Sequence, residues 1–310
     1  MNKGMLLSGL FFLIFASASH SYPPALFADG KTVVLYDAAS GDIPGTSVIR
    51  FTDFPPGVAL PTFSDGATVV DTTISGTDTY AGWVSSEATT PGFPILDRTA
   101  GVRVNFTVQV ESEAHTNNDR AGFSVIILDK DAKGIELSFW ENEIWVKSDD
   151  STVGLFKHGE GIAFATSALT DYQVTFVGDT YTLTSNAEPL LTGPLRDYSA
   201  FAGFPDPYET PNFLFLGDNT TSAQARIRLR FVSVTGTEPV IPTSTISSTS
   251  TNSPLPTASS MPQPNATPAS SLPPAGNVFE FCPSTLFLGA VMITTALMIR
   301  KFRQGRTNHF

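Results

Sequence analysis

The chain has 310 residues, 41% hydrophobic and 15% charged, with a formal charge of −11. Five of its basic residues, Lys3, Arg300, Lys301, Arg303 and Arg306, lie in terminal segments, so Tyr22 to Glu280 holds 13 basic against 29 acidic residues. Such a surface repels nucleic acid and anionic lipid, and a single cysteine, Cys282, excludes an internal disulfide, so stability must come from a core.

At the N-terminus, Lys3 precedes an apolar stretch from Met5 to Phe15 and the small residues Ala16 to Ser19. This is the pattern of a secretory signal peptide, residues 1–21. The stretch is too short for a confident membrane span, and Tyr22, Pro23 and Pro24 end any helix soon afterwards.

Residues 22–237 repeat short alternating or apolar runs punctuated by Gly, Asp, Asn and Pro, with no stretch of helical period. The runs predict strands at 32–36, 47–52, 67–74, 101–109, 122–128, 134–140 and 143–147, then at 161–166, 172–177, 180–184, 213–216 and 223–234. A dozen strands in one region predict an all-β fold, a two-sheet antiparallel jelly-roll sandwich. Hairpins are expected at Glu141-Asn142 and at Gly178-Asp179. In the last strand Ala225, Ile227, Leu229, Phe231 and Ser233 alternate with Arg226, Arg228, Arg230 and Val232, which places the first set inward and three arginines outward. In so acidic a domain those arginines are expected to pair with carboxylates rather than bind an anionic glycan.

Residues 238–277 form a Ser/Thr/Pro-rich stalk: from Pro239 to Pro274, 24 of 36 residues are Ser, Thr or Pro. Such a composition buries no core and stays extended. Residues 281–299 carry no charge over a length that crosses a bilayer as a helix, and 300–310 form a basic tail that fixes the cytoplasmic end. The expected protein is secreted, held in the membrane by its C-terminal helix, with an extracellular or periplasmic ectodomain.

Candidate chemistry is sparse. His115 and His158 lack metal-site spacing, and there is no Gly-x-Ser-x-Gly elbow or phosphate-cradling glycine loop. A glycoside hydrolase would need two carboxylates at a set separation, and Glu136 with Glu141 or Glu143 is the available pair, although the latter two fall at a hairpin tip. The turns Asp129-Lys130-Asp131 and Asp218-Asn219 offer oxygens to calcium, the one cofactor considered; Asx turns that satisfy their own backbone are the competing reading. Trp83, Trp145, Tyr198 and Tyr208, with Trp140, are candidate ring faces for a sugar, set against burial in the core. Sequons stand at Asn105, Asn219 and Asn265.

The stretch from Arg120 to Leu128, followed by Gly134 to Trp145, resembles the central strands of concanavalin A-like, laminin-G-type jelly rolls. Asn212 to Val234 looks like their closing strands. With the C-terminal anchor, the whole is similar to bacterial exported proteins described as choice-of-anchor domains. The resemblance implies a sandwich that binds a glycan or a surface protein, often with calcium. Glycosidases of that superfamily carry Glu-x-Asp-x-Glu or Glu-x-Asp-x-x-Glu on a strand; here Ser138 stands in the aspartate position after Glu136. The expectation is therefore a non-catalytic adhesion module, with a polysaccharide hydrolase or a purely structural envelope protein as alternatives.

Overall fold

The computed structural model describes residues 30–238, except 45–47, 76–78, 151, 153, 204 and 205. The segments expected as signal peptide, apolar span and basic tail, and the expected stalk beyond Glu238, lie outside the described residues. Among the described residues no helix is long and apolar enough to cross a membrane.

Fifteen strands, all paired antiparallel, build two sheets among the described residues. The larger sheet has eight strands. Its centre is a pair of 14-residue strands, β6 (Val102–His115) and β15 (Ala223–Gly236). Beyond β6 lie β11 (Thr170–Val177), β12 (Thr180–Ser185) and β13 (Glu188–Pro194). The other edge of β15 pairs first with β4 (Ala67–Asp71), which is flanked by β3 (Thr62–Ser64), and then with β1 (Lys31–Asp37). The second sheet runs, in spatial order, β10 (His158–Ala163), β9 (Glu143–Lys147), β8 (Gly134–Phe139), β7 (Phe123–Leu128), β14 (Phe213–Asp218), β5 (Tyr80–Ser86) and β2 (Arg50–Phe54).

The main core lies where alternate residues of the two sheets meet. Val102, Val104, Phe106, Val108 and Val110 of β6 join Ile135, Leu137 and Phe139 of β8 and Phe123, Val125 and Ile127 of β7. Period-2 alternation puts the other residues of β6 on the outer face, which is why that strand reads so cleanly in the sequence. β7, β8 and β14 are buried at every position. Their outer face carries a second cluster, Ile126, Leu128, Phe213 and Phe215, packed with Tyr198, Tyr208, Phe156 and Phe201 from two loops. Strands covered on both sides have no polar face to alternate with.

The structure departs from the sequence reading at specific places. β5 was not predicted. A Cβ at Gly82 would lie 2.6 Å from the Leu216 carbonyl oxygen, so glycine is there for the close approach of β14. β13 carries Pro189 and Pro194 and was missed for that reason; it is an edge strand, the place where a sheet tolerates proline. The three-residue β3 is too short to show a period. The strand predicted at 161–166 lies three residues earlier, and the one predicted at 47–52 begins at Arg50.

The alternation predicted for β15 holds only to Leu229. A register shift between Leu229 and Phe231 sets an extra residue against β6, where Val108 and Thr107 are consecutive. Such a bulge turns every later side chain over. Val232 and Val234 therefore enter the core, and Phe231 moves to the outer face. Two of the three arginines pair with carboxylates as expected: Arg226 with Asp71 at 2.8 Å and Glu111 at 2.6 Å, and Arg228 with Glu111 at 3.5 Å.

Candidate functional site

On the outer face of the eight-stranded sheet, residues directly opposite one another form two polar rows. Ser233, Asn105, Gln173 and Thr184 stand in register across β15, β6, β11 and β12. Phe231, Thr107 and Asp171 form the next row. The Asn105 amide donates to Ser233 Oγ at 3.1 Å, and Gln173 Nε2 donates to Asn105 Oδ1 at 2.8 Å. Thr107 Oγ1 donates to Asp171 Oδ1 at 2.6 Å.

All of these residues but Ser233 line a recess of about 510 Å³, completed by the Asn186-Ala187 turn. Both turn residues have positive φ, 49° and 68°, as a two-residue hairpin between twisted strands requires. The bonds within the rows hold the side chains in place but leave Asp171 Oδ2 and Gln173 Oε1 outside the bonds just described. The half-buried Phe231 ring is the apolar surface beside them. Oriented amides, a carboxylate and one ring face are what a hydroxyl-bearing, neutral ligand needs: bonds for its hydroxyls and a flat partner for its C–H face.

The outer face of the seven-stranded sheet is arranged differently. Glu136 of β8 is fully buried and bonded on both oxygens. Lys147 Nζ lies 2.6 Å from its Oε1, Asn219 Nδ2 donates to the same oxygen at 2.9 Å, and the Tyr208 hydroxyl donates to Oε2. Tyr198 accepts the Glu136 amide at 3.1 Å and donates to the Lys147 carbonyl at 2.8 Å. Burial and then the Glu136 charge push both tyrosine hydroxyls well above their ordinary range. Burial also pushes the Asp218 carboxyl well up, against the Thr72 hydroxyl that donates to it.

The aromatic residues singled out from the sequence are interior groups. Trp83 and Trp145 are fully buried, Trp83 edge-on to Phe51 and Trp145 stacked on His158. Tyr198 and Tyr208 hold the Glu136 network, so none of the four presents a ring to solvent. Trp83 lies in the main core and Trp145 against His158 and Trp140, the burial the sequence analysis set against a sugar-binding role, while Tyr198 and Tyr208 are buried where a loop covers β7, β8 and β14.

Arg98 occupies the place between Asp129 and Asp131 that a cation would take. Its Nη1 bonds both carboxylates, and Asp129 Oδ1 accepts the amides of Asp131 and Lys133. Asp218 is spent on Thr72 and Thr220, and Asn219 on Glu136. Among the described residues no group of three or more His, Cys, Asp or Glu could hold a metal ion.

The three glutamates considered for hydrolysis have separate partners. Glu141 accepts the Glu113 amide at 3.0 Å, and Glu143 faces His158 Nε2 at 3.0 Å. Glu136 is sealed by three side chains. The sequons at Asn105 and Asn219 have their amide nitrogens engaged, so a glycan there would break the bonds to Ser233 and Glu136; Asn265 lies outside the described residues.

Of the residues lining the recess, Asn105 stood out in the sequence only as a sequon. Asp171 and Gln173 could have been found from the outward period of β11. Phe231 could not, because the bulge at Arg230 reverses its side.

No family model matches the chain, and no curated protein matches it. Its backbone is similar to that of a protein of unknown function from Shewanella oneidensis MR-1, at 15% identity and a TM-score of 0.40, over 68% of this chain and 89% of that one. A carbohydrate esterase from the Shiga toxin-encoding bacteriophage phi24B matches at 11% identity and 0.40, over 67% of this chain and 100% of that one. The exoplasmic/lumenal domain of VIP36 in its Ca2+/Man-bound form matches at 10% identity and 0.39, over 68% and 90%. A likeness this distant carries no functional argument, and the site geometry has to carry it.

Proposed function

We propose that the chain is a non-catalytic binding module that takes a neutral glycan in the recess on its eight-stranded sheet. The observation behind this reading is the pair of cross-strand polar rows ending at Phe231, with Asp171 and Gln173 in the recess. A glycan is preferred over a surface protein because amides, hydroxyls and a carboxylate stand in ordered rows beside the apolar part of the lining, in a recess sized for a small ligand, whereas a protein interface is centred on larger apolar and aromatic anchors. Catalysis is not proposed: Glu136 is buried against Lys147, Asn219 and Tyr208, without a second carboxylate among those partners. Calcium is not required by this reading, since Arg98 serves Asp129 and Asp131.

The reading includes display. Residues 1–21 direct export, residues 238–277 hold the module away from the bilayer, and residues 281–299 anchor it with the tail inside, in the manner of a choice-of-anchor protein. The test is a glycan array probed with the detergent-solubilised full chain, together with protease shaving of intact cells. The reading expects saturable binding to one class of neutral glycan and release of the sandwich by shaving. Absence of binding to every glycan, or protection of the sandwich from protease, would overturn the corresponding part.

A further inference from the structure

The buried Lys147 and Glu136 and the half-buried Asn219 form a triad whose geometry has a chemical consequence independent of glycan binding. Lys147 Nζ and Asn219 Nδ2 both contact one oxygen, Glu136 Oε1, at 2.6 Å and 2.9 Å. The lysine comes from β9 and the asparagine from the β14–β15 connection, so the two are distant in sequence and joined only through Glu136. Phe156, over which Nζ sits at 5.8 Å, and the buried Tyr198 and Tyr208 close the site to water. The asparagine's Oδ1 is buried with no hydrogen-bond partner.

Three further buried groups lack partners on the same sheet face: Ser124 Oγ, Ser138 Oγ and Trp145 Nε1. Ser124 stands opposite Ser138, and Ser138 opposite Trp145, in the cross-strand row next to Glu136 and Lys147. An unpaired buried polar atom is costly, and of these four the Asn219 Oδ1 belongs to the carboxamide that Glu136 holds beside Lys147.

We propose that this triad is the site of a self-catalysed covalent cross-link, an isopeptide bond between Lys147 Nζ and Asn219 Cγ. Glu136 Oε1 takes a proton from Nζ, and the freed amine attacks Cγ. Oδ1 carries the negative charge of the tetrahedral intermediate. Glu136 returns the proton to Nδ2, the Cγ–Nδ2 bond breaks, and the departing ammonia takes the second proton from the attacking nitrogen and leaves as ammonium. The lysine ammonium and the carboxamide thus become one amide and one ammonium ion, with no oxidant or cofactor. A water-poor pocket favours this outcome, because it keeps hydrolysis from competing for the same carbonyl. An ectodomain whose chain has one cysteine, at Cys282, gains by this route a covalent tie that a disulfide cannot give it.

The test is peptide mapping of the purified full chain by mass spectrometry after proteolysis. The proposal expects a branched species containing the Lys147 and Asn219 peptides, lighter than their sum by one ammonia, about 17 Da. Fragmentation locates the bond and separates it from a cyclised asparagine within one peptide. Lys147→Arg keeps a cation beside Glu136 but should remove the branched species, and Glu136→Gln should leave both peptides separate at full mass. Unlinked peptides at full mass from the folded wild-type chain would overturn the proposal, as would a branched species that survives Lys147→Arg.

Discussion

Replacing Arg98 by alanine separates a buried ion pair from an exposed one, and the sandwich makes the magnitude calculable. The Arg98 guanidinium serves three carboxylates: the fully buried Asp129, and Asp131 and Asp179, which are exposed. Removing it leaves the Asp129 carboxylate inside the protein without its cation. Breaking a buried pair in this way costs about 3–5 kcal/mol. The lower figure applies, because two backbone amides, those of Asp131 and Lys133, still donate to Oδ1. The two exposed partners add little, since such pairs are worth less than about 1 kcal/mol each.

For a domain of this size, about 3 kcal/mol corresponds to roughly 6–12 °C in melting temperature. The assay is thermal and urea unfolding of wild type and Arg98→Ala side by side at pH 7. EDTA should leave the wild-type melting temperature unchanged, because the guanidinium already holds both aspartates. A loss under about 1 kcal/mol at pH 7 would mean that Asp129 behaves as a surface carboxylate, and would refute the reasoning.

Other expectations follow from the packing. Deleting Arg230 removes the extra residue and sets Leu229 directly beside Phe231 opposite Val108 and Thr107, so Val232 and Val234 keep their places in the core and the variant should fold with a stability within about 1 kcal/mol of wild type, as circular dichroism would show. Failure to fold, or loss of the roughly 3–6 kcal/mol that two buried valines contribute, would contradict the bulge. In alkali, burial pushes the Tyr172 hydroxyl up to about 12, and Tyr181, Tyr198 and Tyr208 move in the same direction. A raised value means that the stability contributed is complete below pH 10 and is lost as pH rises toward 12, about 2.7 kcal/mol for Tyr172 alone. Tyrosinate absorbance should therefore appear together with unfolding; a smooth titration at pH 10 without unfolding would count against it. In acid, Asp97 is held at about 2, first by the Thr99 hydroxyl against a smaller cost of burial. Its contribution should be present above the ordinary carboxyl range and lost only as pH falls through about 2, visible as a low NMR titration midpoint.

The sequence announced the sandwich because β6, β11 and β12 face the core on one side only, and a half-buried strand writes its period into its residues. β7 and β14 were legible as apolar runs, but their covering was not: Tyr198 and Tyr208 sit in an irregular loop whose path no local pattern specifies. That is why these tyrosines were read as ring faces for a sugar and are in fact partners of Glu136. The turns at Asp129 and Asp218 were correctly read as oxygen-rich, while the group satisfying Asp129 is an arginine 31 residues away in sequence. Phe231 illustrates the other limit, since one bulged residue cancels a perfect alternation. The recess it helps form depends on register between four strands, a long-range property.

The most direct test of the binding reading is titration of the array-selected glycan into the full chain carrying Asp171→Ala or Phe231→Ala, with unfolding measured in parallel. The account predicts that each substitution weakens binding at least about tenfold, the equivalent of about 1.4 kcal/mol, while leaving the melting temperature within a few degrees of wild type. Undiminished affinity in both variants would place the ligand elsewhere and contradict the account.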